Sequence, residues 1–238
     1  MVLNIVINNY MRTERNKMKS LIFDIDGTVL DSMHIWIEPM DKIFAKYNFK
    51  LSDLPKERKG EIEALPFEAM CEFIAENVAC DMSKDEVIKY FVDNLENAYR
   101  NELLPKEGAV DFIKDLKDAG YKISVASSTD YVYLEPALKR IGIYDCFDFF
   151  ATPDITKMKK SDDSYWKYSI DKHNKDPENI VLFDDALYAI KASKKSGIKT
   201  IGIKDFPWNE NEWEHIKNEA DIYTDNIKDI SIDDIESL

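Results

Sequence analysis

The hydrophobic residues of this chain fall into two patterns, and one of them predicts strands. Short, mostly apolar runs each end at a polar residue, and they lie at residues 21–23, 123–126, 149–151, 180–183 and 200–203. Continuous apolar runs, rather than alternating ones, are typical of strands that are covered on both faces. We expect a last edge strand near Ile222. The pattern therefore predicts an α/β fold, a Rossmann-like parallel sheet with helices on both faces.

The segments between these strands show helical spacing. Apolar residues of the segment 109–116 share one helix face, and Gly120 lies where a left-handed C-cap is needed. A second such helix begins near Leu187 and ends before Gly197. Strands and helices alternate from about residue 104 onward, as expected for a parallel sheet.

The segment between the first two predicted strands contains helical patterns alone. Its apolar stripes run through residues 36–47, 67–78 and 87–99, and Ser83 with Glu86 forms a capping-box pattern before the third. Such stripes are typical of helices that pack on one another. We predict three parts, which are a peripheral N-terminal extension at 1–17, an α/β catalytic core at 18–32 and 105–238, and an inserted all-helical cap at 33–104.

Composition limits the possible partners. The chain has 46 acidic and 32 basic residues and a formal net charge of −14, which repels nucleic-acid phosphates. Three cysteines and three histidines show no metal-ligand spacing, so we interpret the cysteines as free thiols in a reducing compartment. No apolar run approaches the ~20 residues of a membrane span. We expect a cytoplasmic monomer or weak dimer without nucleic-acid or membrane partners.

Candidate chemistry begins where the first predicted strand ends. Asp24, Asp26 and Gly27 follow the apolar run 21–23 directly. Open parallel sheets bind their ligands at the carboxyl ends of their strands. Placing two carboxylates at the end of a buried strand is costly unless a cation holds them. The pair therefore predicts a cation site at this edge of the sheet.

Polar groups also follow three other predicted strands. They are Ser127, Ser128 and Thr129 after the run 123–126, Lys157, Lys159 and Lys160 after 149–151, and Asp184 and Asp185 after 180–183. Each group alone has an ordinary explanation as a helix cap or a solvated charge. Their joint placement at successive strand ends indicates one shared site.

Together these motifs resemble the haloacid-dehalogenase superfamily of phosphatases and phosphomutases, in the branch that carries a helical cap between the first and second motifs. The stretch 24–32 reads Asp-Ile-Asp-Gly-Thr-Val-Leu-Asp-Ser and matches the first motif fully. The resemblance implies that Asp24 is a nucleophile that forms an aspartyl-phosphate and that Asp26 is the general acid and base. It also implies that Ser127 holds the phosphoryl group and that Lys159, six residues before Tyr165, neutralises charge.

The resemblance further implies a cofactor and a phosphate site. The cofactor is Mg²⁺, bound by Asp24, the backbone carbonyl of Asp26, Asp184 and Asp185. The phosphate-binding residues are expected to be Thr28, Ser127, Ser128 and Lys159.

Two motifs depart from the family pattern. The third usually reads Lys-Pro-x-Pro-Asp-x-Tyr, whereas residues 159–165 read Lys-Lys-Ser-Asp-Asp-Ser-Tyr. Because the prolines are missing, Lys160 and Lys157 stay open as alternatives to Lys159. In the fourth motif, Ala186 and Ala189 replace the usual serine and glycine.

The implied reaction is the Mg²⁺-dependent hydrolysis of a small phosphorylated metabolite, and three alternatives stay open. A sugar-phosphate mutase of the β-phosphoglucomutase kind carries a histidine shortly after the first motif. Here that place is Trp36, with His34 two positions earlier, which favours a phosphatase. A two-component receiver has no helical insertion after its first strand, and a non-catalytic phosphate-binding module would show no turnover. Candidate anion contacts within the cap are Lys56, Arg58 and Lys59.

Overall fold

A computed structural model of the chain describes residues 18–50, 65 and 67–238. The predicted N-terminal extension at 1–17 and the candidate anion contacts Lys56, Arg58 and Lys59 lie outside the described residues. The described part divides into two compact units, with boundaries after Asp31 and before Leu103. The cap had been predicted to run from 33 to 104.

The first unit contains a sheet of six parallel strands. These are β1 (Ser20–Phe23), β2 (Lys122–Ala126), β3 (Phe149–Ala151), β4 (Ile180–Asp184), β5 (Lys199–Ile203) and β6 (Ile222–Thr224). Their order across the sheet is β3-β2-β1-β4-β5-β6, and every neighbouring pair is parallel. The predicted Rossmann-like α/β fold is therefore confirmed, including the edge strand at Ile222.

The two central strands carry the core of the sheet. All residues of β1 and β4 are buried, as their continuous apolar runs predict. The register pairs Phe23 with Phe183, and their rings stack with centroids 4.5 Å apart. Phe112 packs edge-on against Phe23 from a helix on the sheet face. This packing fixes the carboxyl ends of β1 and β4 side by side.

Helices follow the strands as the spacing predicts. Around the first unit's sheet lie α4 (Ala109–Asp118), α5 (Tyr131–Arg140), α6 (Pro153–Thr156), α7 (Asp163–His173), α8 (Leu187–Lys195), α9 (Trp213–Glu219) and α10 (Ile232–Ser237). Gly120 and Gly197 both have positive φ values just beyond α4 and α8, so both predicted caps are confirmed.

The second unit, Ser32–Glu102, is helical in its described part. It contains α1 (Glu38–Lys46), α2 (Phe67–Asn77) and α3 (Lys84–Asn97), and α3 continues into one π-helical turn at Ala98–Glu102. The predicted capping box is present, with both reciprocal bonds between Ser83 and Glu86. No helix in the described ranges is both long and apolar enough to cross a membrane.

One residue of the predicted apolar stripes lies elsewhere. Trp36 is 42% exposed, whereas its neighbour Ile35 is buried. The reason is local, because Met33–Trp36 forms a 3₁₀ turn and the α-helix begins only at Glu38. Helical spacing therefore does not apply to Trp36.

Candidate active site

Three carboxylates meet at the carboxyl ends of β1 and β4. The amide of Asp24 donates to the carbonyl of Phe183 over 2.9 Å, which extends the pairing of β1 with β4 by one residue. Asp24 therefore lies beside Asp184, the last residue of β4, with Asp185 next in the chain. One carboxylate oxygen from each of the three lies within 4.8 Å of the others, and all three side chains are buried.

Lys160 is the cation that faces this cluster. Its Nζ lies 2.5 Å from Oδ1 of Asp24 and 2.7 Å from Oδ2 of Asp184, and the residue is 3% exposed. The side chains of Lys159 and Lys157 are exposed. The expectation that Lys159 neutralises the nucleophile is thus corrected in register by one residue.

The correction has a local cause. Without the prolines of the usual motif, residues 159–162 form a turn in which the amide of Asp162 donates to the carbonyl of Lys159 over 2.9 Å. The amide of Lys159 in turn donates to the Asp162 carboxylate. Tyr165, buried in α7, donates its hydroxyl to the carbonyl of Ala151 over 2.6 Å. The turn and this anchor direct Lys160 to the carboxylates.

The electrostatics of the cluster are unbalanced. Burial raises the pKa of Asp24 well above its usual range, and Asp184 and Asp185 raise it further. Burial, together with Asp184 and Asp205, raises the pKa of Asp185 to about 8. Burial alone would lower the pKa of Lys160, but Asp184 and Asp24 raise it well above its usual range. One buried ammonium therefore faces three buried carboxylates, which leaves an excess of negative charge.

The donor set fits a divalent cation. Carboxylate oxygens are the hard ligands that Mg²⁺ prefers, and a second positive charge would offset the negative excess. The residues that would hold it are Asp24, Asp184 and Asp185. The side chain of Asp26 is not part of this cluster.

Asp26 has a different partner. Thr129 donates its hydroxyl to Oδ2 of Asp26 over 2.7 Å, and the amide of Thr129 donates to the hydroxyl of Ser127 over 3.0 Å. Between Asp24 and this pair the chain turns sharply at Gly27, whose amide donates to the carbonyl of Leu30. The turn separates the two aspartates, so Asp26 can act on a different atom from Asp24.

The remaining predicted phosphate contacts divide into two groups. Ser127 is buried at the end of β2, where its amide bonds to Ala151 of β3. Ser128 is exposed, and its hydroxyl lies 2.8 Å from that of Tyr188. Thr28 is buried and donates to Oδ1 of Asp185 over 3.1 Å. In this arrangement Thr28 orients a carboxylate of the cluster.

Three residues near the site had no predicted role. They are Thr129, Tyr188 and Asp205. Asp205 lies two residues beyond β5, so the strand-end argument used for the other groups would have found it. Tyr188 lies in the first turn of α8, where nothing in its sequence context marks it.

The chain resembles known proteins over most of its length. Residues 21–203 match the family described as haloacid dehalogenase-like hydrolase. The phosphorylated carbohydrates phosphatase of Thermotoga maritima is 24% identical over 187 residues, covering 77% of this chain and 84% of that protein. The pyrophosphatase PpaX of Bacillus velezensis is 27% identical over 195 residues, covering 79% and 83%. The solved structure of β-phosphoglucomutase from Clostridium difficile has the same fold, with a TM-score of 0.61 and 20% identity over 92% of this chain and 96% of that one.

Proposed function

This chain belongs to the haloacid dehalogenase-like hydrolases, and we propose that it is a Mg²⁺-dependent phosphatase that hydrolyses a small phosphorylated metabolite through an aspartyl-phosphate on Asp24. The names of two relatives support this reaction class, since one is a phosphatase of phosphorylated carbohydrates and the other a pyrophosphatase. The observation that carries the proposal is the placement of Lys160 between Asp24 and Asp184, at 2.5 and 2.7 Å.

That placement answers the main difficulty of the reaction. A carboxylate that attacks a phosphate dianion is repelled by it, so positive charge is needed between the two. Lys160 holds one oxygen of Asp24 and supplies part of that charge. When bound at Asp24, Asp184 and Asp185, Mg²⁺ supplies the rest.

Proton transfer falls to Asp26. In the first step, an oxygen of Asp24 bonds to phosphorus, the bond from phosphorus to the leaving oxygen breaks, and Asp26 gives its proton to that oxygen. In the second step, Asp26 takes a proton from water as the water oxygen bonds to phosphorus and the bond to Asp24 breaks, which releases phosphate. One carboxylate serves both steps because the second is the reverse of the first in proton terms. The hydroxyl of Thr129 holds Asp26 for this task.

Ser127 is suited to hold the transferring phosphoryl group. Its hydroxyl accepts from the amide of Thr129, so its own proton is free to point elsewhere. Because the site is a carboxylate cluster in a strongly acidic protein, the phosphate must be held by such local donors and by Lys160.

The test is phosphate release from an aryl phosphate and from a panel of phosphorylated sugars, nucleotides and glycolytic acids, with and without Mg²⁺. We expect release to require Mg²⁺ and to fall by at least about a thousandfold in Asp24→Asn, since losing a nucleophile costs that much or more. Asp171→Asn, at an exposed site on α7, is the matched control and should keep full activity. Activity of Asp24→Asn above about a hundredth of wild type would contradict the assignment of Asp24.

The same panel separates the alternatives. A mutase would convert a hexose 1-phosphate into its isomer without net release of phosphate, which ³¹P NMR detects. A non-catalytic binding module would turn over none of the esters at any Mg²⁺ concentration.

A further inference from the structure

A buried ion pair lies behind the carboxylate cluster. The Nζ of Lys106 lies 2.6 Å from Oδ1 of Asp205, with side chains 18% and 4% exposed. Lys106 also donates to the carbonyl of Lys204 over 3.1 Å. The mechanism above uses neither residue.

The carboxylate of Asp205 faces that of Asp185. A Cβ added to Gly27 would lie 2.6 Å from Oδ2 of Asp185 and 2.8 Å from Oδ2 of Asp205, so both oxygens flank the same point. Oδ2 of Asp205 is buried and accepts no hydrogen bond from any residue that the structure describes. Its negative charge is therefore directed at the cluster without a local donor to spread it.

Asn209 fixes Asp205 relative to Asp185. Its side-chain amide donates to the carbonyls of Asp185 and Ile203, both over 2.9 Å, and its Oδ1 accepts from the amide of Asp205 over 3.0 Å. Asn209 is buried, so these bonds are shielded from water. The distance between the two carboxylates is thus set by a closed network.

We propose that Asp205 is a positioning residue for the cation site, acting through Asp185, and that the Lys106–Asp205 pair sets the affinity of that site for Mg²⁺. This inference rests on the proposed function. Charges near a metal centre change its affinity without touching the metal, and removing an outer partner typically costs about ten- to a hundredfold. Here the two members of the pair have opposite charge, so their removal should have opposite effects.

The variants follow from that difference in sign. Asp205→Asn keeps the shape and the backbone bonds but leaves Lys106 unbalanced, so the Kd for Mg²⁺ should rise about ten- to a hundredfold. Lys106→Met keeps the aliphatic stem and removes a positive charge, so the Kd should stay equal or fall. The double variant carries the same net charge at the pair as the wild type. Its Kd should return to within about threefold of the wild-type value, whereas purely structural damage would add up.

Calorimetric titration of the metal-free proteins with MgCl₂ at fixed pH measures these constants, and thermal unfolding without metal verifies the fold. Asp225→Asn is the matched control, because Asp225 forms an exposed pair with Lys204 beside the same loop, at 2.8 Å, and should leave the Kd unchanged. If Asp205→Asn does not fold, Lys106→Met alone decides, since weaker Mg²⁺ binding in that variant would overturn the inference. Unchanged affinity in Asp205→Asn, or a double variant weaker than Asp205→Asn, would also overturn it.

The two hypotheses fail differently. A wild-type protein that binds no Mg²⁺ would overturn both the proposed function and this inference. A wild-type protein that binds Mg²⁺ while the pair variants show no opposite effects would overturn the inference alone.

Discussion

Nζ of Lys160 lies 2.5 Å from Oδ1 of Asp24, and no other lysine of the described ranges forms an ion pair with that carboxylate. The contact joins the turn before α7 to the end of β1, two parts of the chain 136 residues apart. Because both partners are buried, neither can exchange this contact for water. The pair therefore holds the nucleophile in one position and charge state.

The first prediction separates Lys160 from Lys159. Lys160→Met should lower kcat for an aryl phosphate by at least about a hundredfold, because a charge that acts on the transferring phosphate is lost. Lys159→Met removes an exposed side chain one residue away and should stay within about threefold of wild type. Steady-state kinetics at saturating Mg²⁺ measures both. Equal losses in the two variants would show that the position of Lys160 in the structure does not describe the working enzyme.

The second prediction concerns Thr129 as the residue that holds Asp26. Thr129→Val keeps the side-chain volume but removes the hydroxyl that donates to Asp26 over 2.7 Å. A hydrogen bond to a charged group contributes about 1.5–3 kcal/mol, so kcat should fall about ten- to a hundredfold. Thr129→Ser retains the hydroxyl and should recover most of the rate. Titration with MgCl₂ should give the same Kd for all three proteins, and a loss of Mg²⁺ binding in Thr129→Val would indicate a wider disturbance.

The third prediction uses two glycines with similar backbone conformations. Gly27 has φ of +85°, and an added Cβ would lie within 3 Å of the carboxylates of Asp185 and Asp205. Gly142 has φ of +77°, but the nearest atom to its added Cβ is Nζ of Lys114, at 3.8 Å. Gly142→Ala should therefore lose only about 1–2 kcal/mol of unfolding free energy and keep its activity.

Gly27→Ala has the same backbone cost and also displaces a carboxylate of the cluster. Its activity and its Mg²⁺ affinity should both fall by about a hundredfold or more. Chemical denaturation and Mg²⁺ titration of the two variants separate backbone strain from damage to the site. If Gly27→Ala retained wild-type Mg²⁺ affinity, Asp185 would not be a ligand held in the position described.

The sequence was informative where one residue type can serve one purpose. The apolar runs before Asp24 and Asp184 require strands covered on both faces, and parallel strands end at one edge, so the carboxylate cluster could be anticipated from the sequence. The observed register of β1 with β4 places the two aspartates side by side, as that argument expects.

The details that sequence reasoning missed depend on local geometry and on distant contacts. The choice between Lys159 and Lys160 is decided by a turn at 159–162, and adjacent lysines look alike in sequence. Thr28 was expected at the phosphate, yet its hydroxyl bonds to Asp185, 157 residues away. Such partners become visible only once the strands are paired, because spacing along the chain carries no information about them.

The last prediction concerns acid stability and involves His173, far from the carboxylates in sequence and function. His173 is 3% exposed, its Nε2 lies 2.8 Å from the hydroxyl of Ser124, and its ring packs edge-on against Phe149 with centroids 4.8 Å apart. Burial, with a smaller contribution from Lys122, lowers the pKa of His173 to about 3 from 6.5. The folded protein thus holds this ring neutral, whereas the unfolded chain binds a proton below pH 6.5.

Because the unfolded state gains that proton first, the contribution of His173 to stability is complete above about pH 6.5 and is lost as the pH falls toward 3. The loss amounts to about 1.4 kcal/mol of unfolding free energy for each pH unit in that range. Urea unfolding at pH 7.5, 6.5 and 5.5 stays above the sequence pI of about 4.7, where the protein keeps its net charge. Between pH 7.5 and 5.5 we expect His173→Gln to lose about 1.4 kcal/mol less than wild type. His215→Gln, at an exposed position, should follow the wild-type curve. If His173→Gln and wild type lost equal stability over this interval, His173 would already be charged or solvated in the folded protein.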